Sequence, residues 1–240
     1  MINLRFQWLQ KDERIQANEN EQLLIFHAQR LDCIFGNIPI VKISSGINDV
    51  ITLAPKLVKK LTKEYYIATD EINLALIIKS ESPLKHEFFG TNYDKIQLAE
   101  TPHYKGDPTA GDSRRVWQFI GSESGLPFRL GLTVHGARGT WSSTPHKFEI
   151  EALTNPAPID FFEQFAYMMN PKGGWGIQVR QGHIYDRFGR GFIKDSKFIS
   201  DRSIQQIPLG SHPVTGGPGI QLAYFWVYTS SALELMEKFK

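Results

Sequence analysis

The apolar residues of this chain fall in short runs separated by turn residues, a pattern that starts near residue 22 and continues to residue 228. Short runs rich in β-branched and aromatic side chains are typical of β-strands. The runs lie at residues 23–26, 38–43, 50–53, 73–78, 116–120, 128–134, 161–169, 176–180, 192–194, 203–207 and 221–228. Many short strands with turns between them predict an all-β sandwich or barrel.

Three segments depart from this pattern. Residues 1–21 are polar and mixed, which indicates an arm or a short helix. Residues 99–115 contain two prolines and two glycines and therefore indicate a boundary between two halves. Residues 233–239 have helical spacing and predict a short C-terminal helix. The expected domains are thus an arm over 1–21, a first half over 22–98 and a second half over 99–240.

Composition narrows the class of protein. The formal net charge of the 240 residues is +2, which implies no strong attraction to nucleic acid or to an anionic membrane. No apolar run approaches the roughly 18 residues that a membrane helix requires, and residues 1–8 lack the order of a secretion signal. A single cysteine, Cys33, excludes an internal disulfide and a cysteine-rich zinc site. We therefore expect a soluble, cytoplasmic protein.

Three residues stand out as candidate chemistry. Glu163 interrupts the apolar stretch 159–169, and strand alternation places it on one face with aromatic residues. A carboxylate there needs a cation, a donor or a metal. With His146 and His212 it would form a set of two imidazoles and one carboxylate, which suits Fe, Mn, Zn or Ni. The alternative is that the histidines are only hydrogen-bonded and that Glu163 pairs with Arg180 or Arg129.

Several ordered motifs of the second half resemble a known family. Residues 212–227 resemble the His-Pro-Val … Pro-Gly … Tyr-x-Trp-Val ending of the 5-deoxy-glucuronate isomerases, which belong with the 4-deoxy-5-threo-hexosulose-uronate ketol-isomerases among the two-cupin proteins. Four earlier segments are also similar to segments of this family and occur in the same order as in the family. They are residues 115–120, 139–147, 163–167 and 174–178. The resemblance implies a cupin fold, a jelly-roll β-barrel, in a two-cupin arrangement. Residues 22–98 would be its shortened first cupin.

The family binds metal through a His-x-His pair, a glutamate on the following strand and a later histidine. Matched residue by residue, the ligands that this chain retains are His146, Glu163 and His212. The second histidine of the pair falls on Phe148, which cannot ligate a metal; an ungapped alignment would place Lys147 and Glu149 at the pair instead. Three ligands remain compatible with a divalent transition metal: Zn, Mn, Fe or Ni.

The resemblance implies a metal-dependent aldose–ketose isomerase that acts on a deoxy sugar acid such as 5-deoxy-glucuronate. Gln178 and Tyr224 lie at matched positions and are candidates for contacting the substrate, and Arg180 is a chemical candidate for its carboxylate. Two other functions stay open. One is a degenerate, non-catalytic cupin that binds a carbohydrate or a protein partner, which Phe148 favours. The other is a non-haem metal oxygenase, which the ligand set alone supports. We also expect a homo-oligomer.

Overall fold

The computed structural model describes residues 2–18, 20–28, 34–35, 42–46, 49–51, 64–66, 72–80, 103–107, 109, 111–121, 127–136, 138–139, 141–142, 162–186 and 189–229. The elements with defined bounds in these ranges are β-strands, which confirms the all-β prediction. They are β1 (Ile2–Leu9), β2 (Arg14–Gln16), β3 (Glu21–Ala28), β4 (Lys42–Gly46), β5 (Asp49–Ile51), β6 (Glu64–Tyr66), β7 (Ile72–Ser80), β8 (His103–Lys105), β9 (Arg114–Ile120), β10 (Phe128–His135), β11 (Trp141–Ser142), β12 (Glu163–Asn170), β13 (Trp175–Asp186), β14 (Gly189–Ser200), β15 (Ile204–Gln206), β16 (Leu209–Ser211), β17 (Val214–Gly216) and β18 (Gln221–Thr229). The helix predicted over 233–239 lies outside the described residues.

Residues 2–9 form a strand, and the prediction of an arm or a short helix is wrong for them. Leu4 and Phe6 are buried, whereas the neighbouring Asn3 and Arg5 are exposed. These residues thus show the alternation of a half-buried strand. The alternation is short, and residues 1–21 taken together are polar because a charged stretch follows it, so the composition of the segment does not indicate a strand. β1 pairs with β7 along its entire length, so the N-terminal segment is part of a sheet.

The chain divides into two compact units, and the first comprises residues 1–101 and 118–127. It contains the antiparallel sheet β1-β7-β3-β4-β5 and the two-stranded ribbon β2-β6. One cluster of its core consists of Leu9, Ile15, Leu23, Ile25, Ala75 and Ile77. Residues 118–127 belong here although the sequence pattern assigned them to the second half; Phe119 packs against Phe26 with ring centroids 6.3 Å apart.

The second unit comprises residues 102–117 and 128–240. One of its sheets has the strand order β15-β12-β18-β10-β9-β8, and the other has the order β11-β17-β13-β14, with β16 also paired to β13. Neighbouring strands such as β12, β18 and β10 are far apart in the chain, as in jelly-roll topologies. The core between the two sheets includes Phe165, Tyr167, Met169, Ile199, Ile207, Val214, Leu222, Tyr224 and Trp226.

Candidate functional site

Strands β12 and β18 place a carboxylate on an aromatic face of the six-stranded sheet. Glu163, Phe165 and Tyr167 alternate along β12, so their side chains lie on one face. Their register partners on β18 are, in the same order, Tyr228, Trp226 and Tyr224. Because residues opposite each other in a sheet share a face, the aromatic surroundings of Glu163 lie where the alternation predicts them.

The opposite sheet contributes an amide and an imidazole to the same core. The hydroxyl of Tyr167 donates a hydrogen bond to Oε1 of Gln178. The rings of Phe165 and His212 meet edge-on, with centroids 5.8 Å apart. Phe165 is two residues from Glu163 on the same face of β12, so one aromatic ring links the strand that carries the carboxylate to the segment that carries the imidazole.

Gln178 fastens that segment to β13. Its Nε2 donates to the carbonyl oxygens of His212 at 2.7 Å and Val179 at 2.8 Å, and lies 3.1 Å from that of Pro213. Its Oε1 accepts the bond from Tyr167, and the residue is 0% exposed. Since both ends of the amide are bonded within the protein, Gln178 fixes the backbone at His212 and at the residue that follows it.

Burial keeps Tyr167 protonated. Removal from water raises the pKa of the Tyr167 phenol well above its usual value, and the nearby Tyr224 raises it further. The Arg180 guanidinium lowers this pKa and the Glu163 carboxylate raises it. The net shift is upward, so the phenol remains a hydrogen-bond donor at neutral pH and does not act as a base.

The imidazole of His212 is held in one tautomer by the backbone. Its Nδ1 lies 2.8 Å from the carbonyl oxygen of Gly210, and because a carbonyl only accepts, Nδ1 carries the proton and Nε2 carries the lone pair. Gly210 adopts a φ of +148°, and a Cβ at this position would collide with the backbone oxygen of Gln181. Only glycine therefore fits at the position that orients this histidine.

Two opposite charges flank a tyrosine at one end of the same sheet. The register places Glu163 and Arg129 on either side of Tyr228, on β12 and β10 respectively. Glu163 is 5% and Arg129 is 8% exposed, and Nη1 of Arg129 donates to the carbonyl of Phe128 at 2.9 Å. Burial and the negative charge of Glu163 raise the pKa of Tyr228, whereas Arg129 lowers it. Both charges therefore act on one partly buried phenol.

Arg180, a predicted substrate contact, is paired within the protein. Its Nε donates to Oδ1 of Asp195 at 2.8 Å and its Nη2 donates to Oδ2 at 2.6 Å, across the β13–β14 pair. The third nitrogen, Nη1, lies 3.4 Å from the carbonyl of Gln206. The hydrogen bond from Arg180 is the main cause that lowers the pKa of Asp195. The bidentate edge of this guanidinium is thus already occupied by a carboxylate.

Replacing Asp195 by asparagine should lower the free energy of unfolding by about 1–2 kcal/mol, because it leaves the charge of the buried Arg180 without its counter-ion. The loss stays in this range because 37% of the Asp195 side chain is exposed and water compensates in part. Since folding lowers the pKa of Asp195, its contribution is complete above the unfolded pKa and disappears as pH falls through the folded one. Urea titrations of both proteins at neutral pH and near pH 3 measure this difference.

Lys194→Gln is the matched control, because Lys194 is an exposed charge on the same strand. We expect its unfolding midpoint to stay within error of the unmodified chain. An Asp195→Asn midpoint that is equally unchanged at neutral pH would contradict a stabilising role for the ion pair.

The structure describes two of the three predicted metal ligands. Glu163 and His212 are buried in the second unit, and both are neighbours of Phe165. His146 and Phe148 lie outside the described residues. Within the ranges that are described, no group of three or more His, Cys, Asp or Glu side chains could hold a metal ion.

One residue of the core was missed by reasoning from sequence. His135 is 0% exposed, and its ring meets Tyr224 edge-on with centroids 6.0 Å apart. Its carbonyl accepts a hydrogen bond of 2.6 Å from Nε2 of Gln221. The available signal was alternation along β10, which places Arg129, Gly131, Thr133 and His135 on the face that carries Tyr224 and Tyr228.

Solved structures with this fold include an IolB-like protein from Salmonella typhimurium LT2, which matches with a TM-score of 0.54 at 13% identity and covers 95% of this chain and 83% of that one. A cupin-like protein from Thermotoga maritima matches with a TM-score of 0.33 at 14% identity, over 52% of this chain and 72% of that one. The likeness to the Salmonella protein, together with the jelly-roll topology of the second unit, confirms the predicted all-β cupin fold.

A scan against protein-family models finds no match, and a search of curated proteins finds none that is significant. In the part of the chain that the structure describes, no helix has the length and apolar character needed to cross a membrane.

Proposed function

We propose that this protein is a metal-dependent isomerase that converts a deoxy sugar acid, similar to 5-deoxy-glucuronate, from its aldose to its ketose form. The observation that carries the proposal is that Glu163 and His212, which are distant in the chain, are both buried and are both connected to Phe165. The ring of His212 meets the ring of Phe165, and Glu163 is two residues from Phe165 on the same face of β12. The motif resemblance of residues 111–229 and the fold shared with the IolB-like protein support the same class of function.

The side-chain chemistry of Glu163 and His212 supports the choice of a divalent transition metal. The hydrogen bond from Nδ1 of His212 to a backbone carbonyl leaves the lone pair on Nε2, which is how ligating histidines are commonly oriented. Glu163 supplies an anionic oxygen from a buried position, and carboxylate oxygens are ligands of these metals. In this proposal His146 completes the set around Zn, Mn, Fe or Ni. A metal held there would supply Lewis-acid polarisation of the carbonyl and hydroxyl oxygens of a sugar.

The remaining residues hold the substrate and the site in place. Tyr224 would donate a hydrogen bond to a substrate hydroxyl. Arg129 lies on the same face of the sheet as Glu163, and its planar guanidinium suits the carboxylate of a sugar acid. We assign Arg180 a positioning role, because Asp195 already occupies its bidentate edge.

Gln178 acts in this proposal through His212 and not on the sugar. Its amide bonds the carbonyl of His212 and the phenol of Tyr167, so it keeps the two sheets in register at the site.

Isomerisation moves one proton from C2 to C1 and one from the C2 hydroxyl to the C1 oxygen, and it requires no oxidant. A rigid site suits such a reaction because the reacting groups must stay aligned through both transfers.

A non-catalytic, carbohydrate-binding cupin is the second candidate function. Phe148 occupies the position that resembles the second histidine of the family's pair, and loss of a ligand is more damaging to a metal enzyme than to a binding module. The buried residues around Glu163 and His212 would then bind the carbohydrate without catalysing a reaction.

The test is to reconstitute the purified chain separately with Zn, Mn, Fe and Ni, measure bound metal by mass spectrometry, and follow 5-deoxy-glucuronate and related uronates by NMR without oxygen. We expect close to one equivalent of metal and formation of the ketose. Less than about a tenth of an equivalent with every metal would overturn the proposal. Sugar-acid binding without turnover would establish the binding module, and conversion only with oxygen would establish an oxygenase.

Phe148→His should raise metal affinity, because it restores the second imidazole of the His-x-His pair that the resemblance implies. An additional histidine ligand is expected to tighten binding by at least about tenfold. Competition with a coloured chelator measures the change, and Phe148→Leu serves as the control without a donor atom. Equal affinity of the His and Leu variants would show that Phe148 does not occupy a ligand position.

A further inference from the structure

Four large apolar side chains are exposed in the part of the chain that the structure describes, and all four belong to the sheet β11-β17-β13-β14. They are Trp141, Trp175, Phe192 and Phe198, with exposed fractions of 42%, 43%, 50% and 77%. Since a complete aromatic side chain contributes about 150–250 Å², these fractions together leave on the order of 400 Å² of aromatic surface. Exposed apolar patches of this size are often functional.

Three of these residues and one histidine form two ring pairs on one side of the paired strands β13 and β14. At one end, the rings of Trp175 and Phe198 have centroids 5.4 Å apart. At the other end, the rings of His183 and Phe192 meet edge-on with centroids 5.2 Å apart. An even number of residues separates the two positions within each strand, so both pairs lie on the same side of the sheet. We call the two ring pairs and the surface between them the outer strip.

The outer strip carries one positive charge and neutral hydrogen-bonding groups between its ring pairs. Lys194 is exposed and is two residues from Phe192 on β14, so it belongs to the strip. Gln181 lies opposite Lys194 across the strand pair, and Ser196 follows on the same side of β14. Asp195 points to the other side of the strand. The strip is therefore aromatic at both ends and cationic at one position between them.

The two ring pairs are held in place before any ligand binds. Gly217 lies against the indole of Trp175, and a Cβ there would be 2.7 Å from an indole carbon, so a larger residue would displace the ring. Phe192 and Phe198 are six residues apart on β14, which at about 3.3 Å per residue separates the ring pairs by roughly 20 Å. Fixed rings lower the entropy lost on binding, and their spacing suits an extended ligand.

The charge of the strip disfavours ligands with closely spaced negative charges. A nucleic acid or an anionic membrane surface is held by several cations, because each cation contributes only a small part of the attraction. The single ammonium group of Lys194, flanked by aromatic rings and neutral side chains, instead suits a ligand with one carboxylate between uncharged, partly apolar units.

A peptide is a poor fit for this side of the sheet. The backbone of β13 is paired with β14 on one side and with β16 and β17 on the other. A peptide that lay across the strip would therefore bury N–H and C=O groups without backbone partners. A sugar ring instead presents an apolar C–H face that can stack on an aromatic ring, and its hydroxyls can bond side chains such as Gln181 and Ser196.

We propose that the outer strip binds an extended oligosaccharide that contains a uronic acid. Sugar rings would stack on Phe198, Trp175 and Phe192, and a uronate carboxylate would pair with Lys194. This binding goes beyond the proposed isomerase activity, because Gln178, which bonds to His212, points to the other side of β13. The strip binds the sugar chain without changing it.

Isothermal titration calorimetry of the full chain with an oligogalacturonate, and with a neutral glucose oligosaccharide of equal length, tests the proposal. We expect both to bind, and the acidic chain to bind about three- to fivefold more tightly, as an exposed ion pair would allow. Phe198→Ala should weaken both affinities by at least about tenfold, because it removes an aromatic contact. Lys194→Gln should remove the preference for the acidic chain and keep the affinity for the neutral one.

Lys197→Gln is the matched control, because Lys197 is exposed, adjoins Phe198 on β14 and points to the other side of the strand. Both affinities should be unchanged in this variant. Phe198→Ala should fold, because Phe198 is 77% exposed, and unchanged circular dichroism checks this. Glu163→Gln should bind the oligosaccharides like the unmodified chain, so a failure of the isomerase proposal leaves this test unaffected.

Binding that Phe198→Ala weakens and that Glu163→Gln and Lys197→Gln leave intact supports the proposal. Absence of binding to either oligosaccharide overturns it, and so does a Phe198→Ala variant that binds as tightly as the unmodified chain. Loss of binding in Glu163→Gln would place the sugar in the buried site, and equal affinity for the acidic and neutral chains would overturn the assignment of a uronic acid. A dimer that Phe198→Ala disrupts, without sugar binding, would assign the strip to a second copy of the chain instead.

Discussion

Substituting glutamine for Glu163 should lower kcat/KM for the sugar acid by at least about 1,000-fold in the metal-loaded protein. Glutamine has the shape of glutamate but lacks the charge, so it removes an anionic ligand from a buried position without creating a cavity. Metal affinity should fall with activity, because two neutral imidazoles balance less of the charge of a divalent ion than a set that includes a carboxylate.

The same substitution has a spectroscopic signature that does not depend on activity. The negative charge of Glu163 contributes to the raised pKa of Tyr228, so Glu163→Gln should lower that pKa while Arg129 continues to pull it down. Ultraviolet difference titration of the tyrosines, compared with a Tyr228→Phe background, isolates the change. A lowered pKa of Tyr228 shows that Glu163→Gln has removed a negative charge close to this phenol, and this conclusion does not depend on an activity assay.

Gln164→Leu is the matched control, because Gln164 is the next residue on β12 and lies on the other face. It should keep metal affinity and kcat/KM within about threefold. If Glu163→Gln retained full metal affinity but lost stability, Glu163 would be a structural partner of Arg129, and the isomerase proposal would lose its carboxylate ligand.

The sequence predicts the fold well because the strands of this chain are short and rich in aromatic and β-branched residues. The run over 221–228 becomes β18, and the run over 128–134 becomes β10, each within one or two residues. The failure at β1 has a specific cause. The alternation covers only a few residues, and the charged stretch that follows makes the whole segment polar. Residues 2–9 form a strand because they pair with β7, and that pairing is not visible in the local sequence.

The candidate site could be predicted only in part, because a sequence pattern gives faces but not pairings. Alternation correctly placed Glu163 with aromatic residues on β12. It could not show that Arg180 faces Asp195, since that depends on the register of the β13–β14 pair. It also could not show that Gln178 bonds to His212, because the two residues meet only when β17 is added beside β13.

Replacing Gly131 by alanine should lower the free energy of unfolding by at least about 3 kcal/mol. Gly131 on β10 is paired with Trp226 on β18, two residues along the strands from the pair of Arg129 and Tyr228. A Cβ at Gly131 would collide with the indole of Trp226 and with the backbone oxygen of Trp117. The indole could rotate at some cost, but the carbonyl belongs to a strand of the same sheet and cannot move without breaking pairs.

Gly191→Ala is the matched control, because Gly191 is also a strand glycine and an added Cβ there meets nothing within 4 Å. Urea titration should separate the two variants clearly, with Gly191→Ala within about 0.5 kcal/mol of the unmodified chain. Adding Trp226→Val to Gly131→Ala should recover part of the loss, since it removes one of the two collisions. Full stability of Gly131→Ala by itself would mean that the indole of Trp226 does not lie against β10, which would contradict the packing of Trp226 on the buried face that carries Glu163.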